Sequence, residues 1–135
     1  MQRRSLMYNN EIVRTIGIDV HKDSYAIATY DPKTGAFFAE TTVNADPKSV
    51  IRYVDRLRIE YGGPVNVITG YEAGPTGFGL KRDLERAGIE CHVMAPTSIY
   101  RPAGGVKTKT DAKDARSLAK ALYWGSYSEV VPLSE

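Results

Sequence analysis

The sequence predicts an α/β fold: a mixed five-stranded sheet in βββαβαβα order, with helices packed on its faces. Three observations carry this. Three strand-like segments open the chain, joined by links too short to hold a helix, and strand-like runs then alternate with amphipathic helices. The 135 residues suffice for one domain of ordinary size, at ~100 to 200 residues per domain. The composition, 42% hydrophobic and 25% charged, is close to the globular averages of ~45 to 50% and ~25% and excludes wholesale disorder.

Val13 to Val20 (VRTIGIDV) is rich in β-branched residues and reads as the first strand. Ser24 to Tyr30 and Ala36 to Val43 are the next two, separated by a Pro/Gly turn at 31–35, so these three strands form an antiparallel meander. A helix follows, with Asp46 as its cap, Pro47 in its first turn and Gly62-Gly63-Pro64 as its stop. Val50, Tyr53, Val54, Leu57 and Tyr61 mark its inward face. Val65 to Tyr71 is the fourth strand, and a second helix spans Phe78 to Ala87 with Leu80 and Leu84 inward and Gly88 as its stop. Ile89 to Ala95 is the fifth strand. Residues 96–110 have no periodicity and read as a functional or mobile loop. A last helix starts at Asp111, capped by Thr110, and runs to Trp124.

The net charge of +2 hides an uneven distribution. Residues 1–100 carry 12 basic and 12 acidic side chains, whereas residues 101–120 carry six basic against two acidic. Any positive field is therefore local. A single cysteine, Cys91, excludes an intramolecular disulfide and reads as a small strand residue. No apolar run approaches the ~18 residues that span a bilayer, and the polar Tyr-Asn-Asn after Met1-Gln-Arg-Arg is unlike a signal-peptide core. A cytoplasmic protein with no membrane association is expected.

Four carboxylates stand out by position. Asp19 lies near the end of an apolar strand, where a charge is costly unless water, hydrogen bonds or a cation reach it. Glu72 stands just past the apolar part of the fourth strand; if the first and fourth strands are neighbours, the two acids converge at one edge. With Asp111 at 0° on the last helix, Leu118, Leu122 and Ala115 fall at ~340°, ~20° and ~40° and Asp114 at ~300°. Both aspartates thus continue the apolar stripe toward the sheet. Convergent acids repel unless divalent cations sit between them, an arrangement that suits Mg²⁺ or Mn²⁺ and, with two ions, phosphodiester chemistry. Each acid alone has a plainer reading, as a helix first-turn acid favoured by the macrodipole or as a turn residue.

Gly17 to Asp23 (GIDVHKD), Tyr71 to Gly77 (YEAGPTG) and Lys107 to Ala119 (KTKTDAKDARSLA), in this order and spacing, resemble the N-terminal domain of the DEDD-type insertion-sequence transposases. That family includes the Piv-like DNA invertases, and many members are guided by a structured bridge RNA. The resemblance covers residues 13 to 123 and implies a RuvC-like, ribonuclease-H-like fold. It makes Asp19, Glu72, Asp111 and Asp114 the catalytic, metal-binding tetrad, with Mg²⁺ as cofactor (Mn²⁺ as substitute), DNA as substrate, a structured guide RNA as a further partner and a homo-oligomer in the full-length protein. It also implies a second domain carrying a nucleophilic serine, which Ser117, Ser126 and Ser128 do not match. The expected organisation is a flexible N-terminus (1–12), a RuvC-like catalytic domain (13–124) and the start of a linker (125–135).

The remaining residues are read around that site. Lys22, Arg101, Lys107, Lys109, Lys113 and Arg116 are the expected nucleic-acid contacts, because neutralising backbone phosphates releases counterions; loop solubility is the plainer alternative. His21 shares the face of Asp19 in an extended strand, where a hydrogen-bonded strand-end role is expected ahead of contact with an ion or phosphate. His92 reads as structural. The functional expectation is a Mg²⁺-dependent transposase/recombinase domain for strand cleavage and transfer, incomplete without its partner domain. The alternatives are a self-sufficient structure-selective nuclease and a non-catalytic nucleic-acid-binding or oligomerisation module.

Overall fold

A computed structural model describes residues 12–74, 77–96 and 111–132, and for 111–114 the backbone alone. The elements are β1 (Val13–Val20), β2 (Ser24–Asp31), β3 (Ala36–Asn44), α1 (Pro47–Tyr61), β4 (Asn66–Glu72), α2 (Gly79–Arg86), β5 (Glu90–Met94) and α3 (Asp111–Trp124). They occur in the expected βββαβαβα order. The sheet runs β3-β2-β1-β4-β5. The meander β1-β2-β3 is antiparallel, and β4 and β5 add in parallel after helical crossovers, as an alternation of helices and strands requires. Of the expected loop at 96–110 and the expected N-terminal segment at 1–12, residues 97–110, with the Thr110 cap, and residues 1–11 lie outside the described residues.

Local chemistry accounts for the element ends. Asp46 Oδ1 accepts from the Ser49 N–H at 2.8 Å, Pro47 occupies the first turn of α1, and Gly62 ends the helix at φ +79°. Val50, Val54 and Leu57 are buried as the periodicity predicts. Tyr61 is not: it is the last residue of α1 and is 42% exposed, with its ring under the Arg14 guanidinium at 5.6 Å. Glu72, read from sequence as lying beyond the fourth strand, is that strand's last residue.

The two faces of the sheet carry different helices. Ile16, Ile18, Val67 and Tyr71 pack with Val50, Val54, Leu80 and Leu84 of α1 and α2. On the other face Val13, Ile68 and Met94 pack with Leu118 and Leu122 of α3. In β2–β3 the register shifts between Ile27 and Thr29, where Ala39 adopts φ +55°, a bulge in which two residues oppose one. The Ala39 carbonyl accepts from Tyr53 Oη at 2.8 Å, and Glu40 reaches Arg116 of α3. Beyond α3, the residues expected to begin a linker lie against β5. Glu129 bridges Met94 in antiparallel sense, and the Val130 N–H donates to the Val93 carbonyl at 2.8 Å.

Candidate active site

Asp19 and Glu72 are brought together by strand register. Parallel pairing of β1 with β4 aligns Ile16 with Thr69, Gly17 with Gly70 and Ile18 with Tyr71. One further step sets Asp19 opposite Glu72 on neighbouring strands, ~4.8 Å apart in the hydrogen-bonding direction. Side chains alternate across a strand. Ile18 and Tyr71 face α1 and α2, so Asp19 and Glu72 face the α3 side. Both line one pocket of about 510 Å³ together with His21, Lys22 and Gly74.

The depth of α3 is set by glycines. A Cβ on Gly17 would lie 2.1 Å from the Ala115 carbonyl oxygen and 2.5 Å from the Ala119 nitrogen, so the helix backbone rests directly on β1. Gly70, paired with Gly17, lies beneath the side-chain ends of Leu122 and Met94. Thr15 Oγ1 donates to the Ala119 carbonyl at 2.7 Å and fixes the position of the helix along the strand. Thr15 therefore meets Ala119 and Gly17 meets Ala115. Two residues of strand (~6.7 Å) match four of helix (~6 Å), and the next step sets position 111 level with Asp19. The helix thus runs with its N-terminal end toward the two carboxylates. Of the four predicted acids, the structure brings Asp19 and Glu72 together and places the backbone of 111 and 114 in the first turn of that helix. Ala115, Leu118 and Leu122 are buried along the predicted stripe.

The surrounding groups hold the strand ends still. His21 Nε2 donates to Asp19 Oδ2 at 3.1 Å, the strand-end hydrogen bond that was expected, and the His21 N–H donates to the Ser24 carbonyl to close the β1–β2 turn. Tyr71, fully buried beside Glu72, donates from Oη to the Gly77 carbonyl at 2.9 Å and accepts from the Lys81 N–H. Burial pushes its phenol up to about 12, so it remains a neutral donor. The Ala73 N–H donates to the Met94 carbonyl, which continues the sheet past Glu72. Gly17, Gly70, Thr15 and Tyr71 are the site-building residues that sequence reasoning missed. The available signal was a glycine inside an apolar strand, which marks close backbone approach, together with alanines four apart on the last helix.

The basic residues divide. Lys22 lines the carboxylate pocket. Arg116 forms a two-point contact with Glu40, Nε–Oε1 2.8 Å and Nη2–Oε2 2.6 Å, and lies over the Phe37 ring. That hydrogen-bonded pairing lowers the Glu40 carboxyl and raises the Arg116 guanidinium from their ordinary values. Arg101, Lys107 and Lys109, and the side chain of Lys113, lie outside the described residues. His92 is structural: Nε2 contacts Glu90 Oε2 at 2.6 Å and Nδ1 contacts Glu129 Oε2 at 2.7 Å. Among the described residues no three histidines, cysteines or acids form a metal-holding group. Two carboxylates at adjacent strand ends of one pocket are nonetheless oxygen donors of the kind that Mg²⁺ or Mn²⁺ takes. No helix among the described residues is long and apolar enough to cross a membrane.

Comparison with known proteins adds the following. The family model for IS110-type DEDD transposases, described as "Transposase", matches residues 16–135. The chain is 31% identical over 107 residues to the transposase for insertion sequence element IS1533 of Leptospira borgpetersenii, covering 79% of this chain and 30% of that protein. It is 36% identical over 116 residues to the y4qE protein of Sinorhizobium fredii, covering 85% and 29%. The chain thus spans about 30% of the length of these curated relatives. Among solved structures, the large terminase nuclease from thermophilic phage G20c superposes with TM-score 0.59 at 17% identity, covering 85% of this chain and 84% of that one. T. thermophilus RuvC, in complex with Holliday junction substrate, superposes with TM-score 0.53 at 12% identity, covering 87% and 99%. The fold is ribonuclease-H-like, as the motif resemblance implied.

Proposed function

The chain belongs to the IS110-type DEDD transposase family, and from that premise we propose that it is the catalytic domain with which a transposase cuts and transfers DNA strands. In this reading Asp19, Glu72, Asp111 and Asp114 hold Mg²⁺, with Mn²⁺ able to replace it. The observation that carries the proposal is the in-register placement of Asp19 and Glu72 on the sheet face covered by α3, whose N-terminal end runs to their level.

The chain's own residues do three things. Asp19 and Glu72 offer hard oxygen donors from strand ends, which are more precise supports than loops. His21 holds Asp19 Oδ2 and so orients the carboxylate. Lys22, at the pocket, and Arg101, Lys107, Lys109 and Lys113, before and within α3, neutralise the phosphate backbone of the strand being cut. Arg116 joins them only by giving up Glu40. When bound, a divalent ion supplies Lewis-acid stabilisation of charge on the scissile phosphate. In the full-length protein a second domain supplies the nucleophile, chains associate, and base pairing by a structured guide RNA reads the target.

Calorimetric titration with Mn²⁺ tests the assignment. The wild-type chain should bind, and Asp19→Asn and Glu72→Gln should each weaken binding at least tenfold while circular dichroism shows the fold intact. Equal affinity in wild type and both folded variants would overturn it.

A further inference from the structure

A second polar groove, of about 560 Å³, lies across the β1–β2 turn from the carboxylate pocket, between α1 and the edge strand β3. Arg52 and Arg56, one helical turn apart and both exposed, line its helical side. Ser24, Thr41 and Asn44 line its strand side, and no acid is among its described lining residues. The Arg52 guanidinium is steadied by donation from Nη2 to Ser49 Oγ at 3.3 Å. Asp46, at the head of α1, has its carboxylate engaged by the Ser49 N–H as the helix cap, and Asp55 and Glu60, the acids nearest Arg52 and Arg56 in sequence, are not among the groove's described lining residues. Two cations a turn apart facing hydroxyl and amide groups make a cradle for anionic oxygens.

Topology ties this groove to the candidate active site. Antiparallel pairing aligns Ser24 with Asn44, and Val20 with Tyr25, so the groove begins at the sheet end that carries Asp19. The groove opens on the α1 side of the sheet and the carboxylate pocket on the α3 side, so a nucleic-acid strand joining them passes around the sheet end at the β1–β2 turn, which carries Lys22. We propose that Arg52 and Arg56 form a backbone-phosphate site, which holds nucleic acid where it leaves Asp19 and Glu72 around the β1–β2 end of the sheet. The inference rests on the nucleic-acid-processing reading above, but its residues are separate from the acids.

Fluorescence anisotropy tests it, using the 135-residue chain with labelled 20-nucleotide oligo(dT), oligo(U) and a 20-base-pair DNA duplex over a series of salt concentrations. Arg52→Ala/Arg56→Ala should lose at least tenfold in affinity near 0.1 M salt. Its log–log salt slope should fall by about 1.4 to 1.8, because two lost contacts count ~0.7 each on single strands and ~0.9 each on duplex. Arg82→Ala/Arg86→Ala on α2 removes equal charge and should leave the slope unchanged. The oligonucleotide on which the slope changes identifies whether a DNA or RNA backbone is held. Equal slopes in the two double variants, or a wild type without salt-dependent binding, would overturn the proposal. Asp19→Asn should keep the arginine-dependent slope, and the Arg52/Arg56 variant should keep wild-type Mn²⁺ affinity, so failure of the metal reading and failure of the groove are separable.

Discussion

Gly17→Ala should damage this domain far more than one methyl group suggests. The new Cβ would sit 2.1 Å from the Ala115 carbonyl oxygen, 2.5 Å from the Ala119 nitrogen and 2.9 Å from Leu118 Cβ. A carbon–oxygen contact relaxes at ~3.3 to 3.6 Å, so α3 must retreat by roughly 1.2 Å or more. Overpacking of this kind costs ~1 to 3 kcal/mol. The retreat would also stretch the 2.7 Å bond from Thr15 Oγ1 to the Ala119 carbonyl beyond useful range, and a buried hydroxyl left without its partner costs a further ~1 to 3 kcal/mol. About 3 kcal/mol or more should be lost, a large fraction of the ~5 to 15 kcal/mol of a typical domain.

The internal control is Gly70→Ala at the paired position. Its Cβ would meet only the far ends of Met94 and Leu122, Cε at 2.8 Å and the two Cδ atoms at 2.9 Å. Those side chains can rotate away, and the cost should stay near ~1 kcal/mol. Urea denaturation of the three proteins, followed by far-ultraviolet circular dichroism and tryptophan fluorescence, measures both. A Gly17→Ala loss under 1 kcal/mol, or equal losses at the two glycines, would refute the reasoning that backbone contact sets the depth of α3. The displacement should also weaken Mn²⁺ binding in whatever Gly17→Ala protein stays folded, since ligand distances tolerate only ~0.2 Å.

Two further outcomes follow from titratable groups away from the carboxylates. Burial pushes the Cys91 thiol up to about 12, so the native protein should resist a maleimide at pH 7.5 and react fully once unfolded; fast native labelling would contradict this. Burial alone would lower His92, but its hydrogen bonds to Glu90 and Glu129 outweigh that and raise it above its ordinary value. Its stabilising contribution is therefore complete below ~6.5, the usual histidine value, and is lost as pH rises through the raised folded value. The difference in denaturation midpoint between wild type and His92→Gln should shrink from pH 5.5 to pH 8.5, and a constant or widening difference would count against the clasp between β5 and the chain after α3.

The fold was largely legible because its elements are punctuated by residues whose conformational limits are local. Asp46, Pro47 and Gly62 bound α1 where the sequence reading put it, and strands separated by short turns had to pair as a meander. What local signals could not supply was register. Nothing within VRTIGIDV says which residue of β4 stands opposite Asp19, because that is set by pairing across 53 positions of chain and by the crossover through α1. Tyr61 shows the same limit: a periodic apolar position turned outward because the helix ends there.

The candidate site was legible for a different reason. Acids in apolar surroundings are costly, so Asp19 stood out within its strand, whereas Glu72 carried little information by itself and gained weight only beside the other acids. The residues that bring them together carry no such mark. Gly17 and Gly70 act by lacking a side chain, and Ala115 and Ala119 by having a small one; each is unremarkable until the helix is seen resting on the strands. Arg116 makes the opposite point, since its charge and its place after the acidic pair suggested a phosphate contact, while Glu40 on a distant strand engages it at 2.6 Å. A charge read from sequence states what a side chain can attract, and only topology states what is already within its reach. By that standard Arg52 and Arg56, overlooked among the solvated residues of α1, have the stronger claim to an incoming phosphate, because the groove they line holds hydroxyl and amide groups and no carboxylate among its described residues.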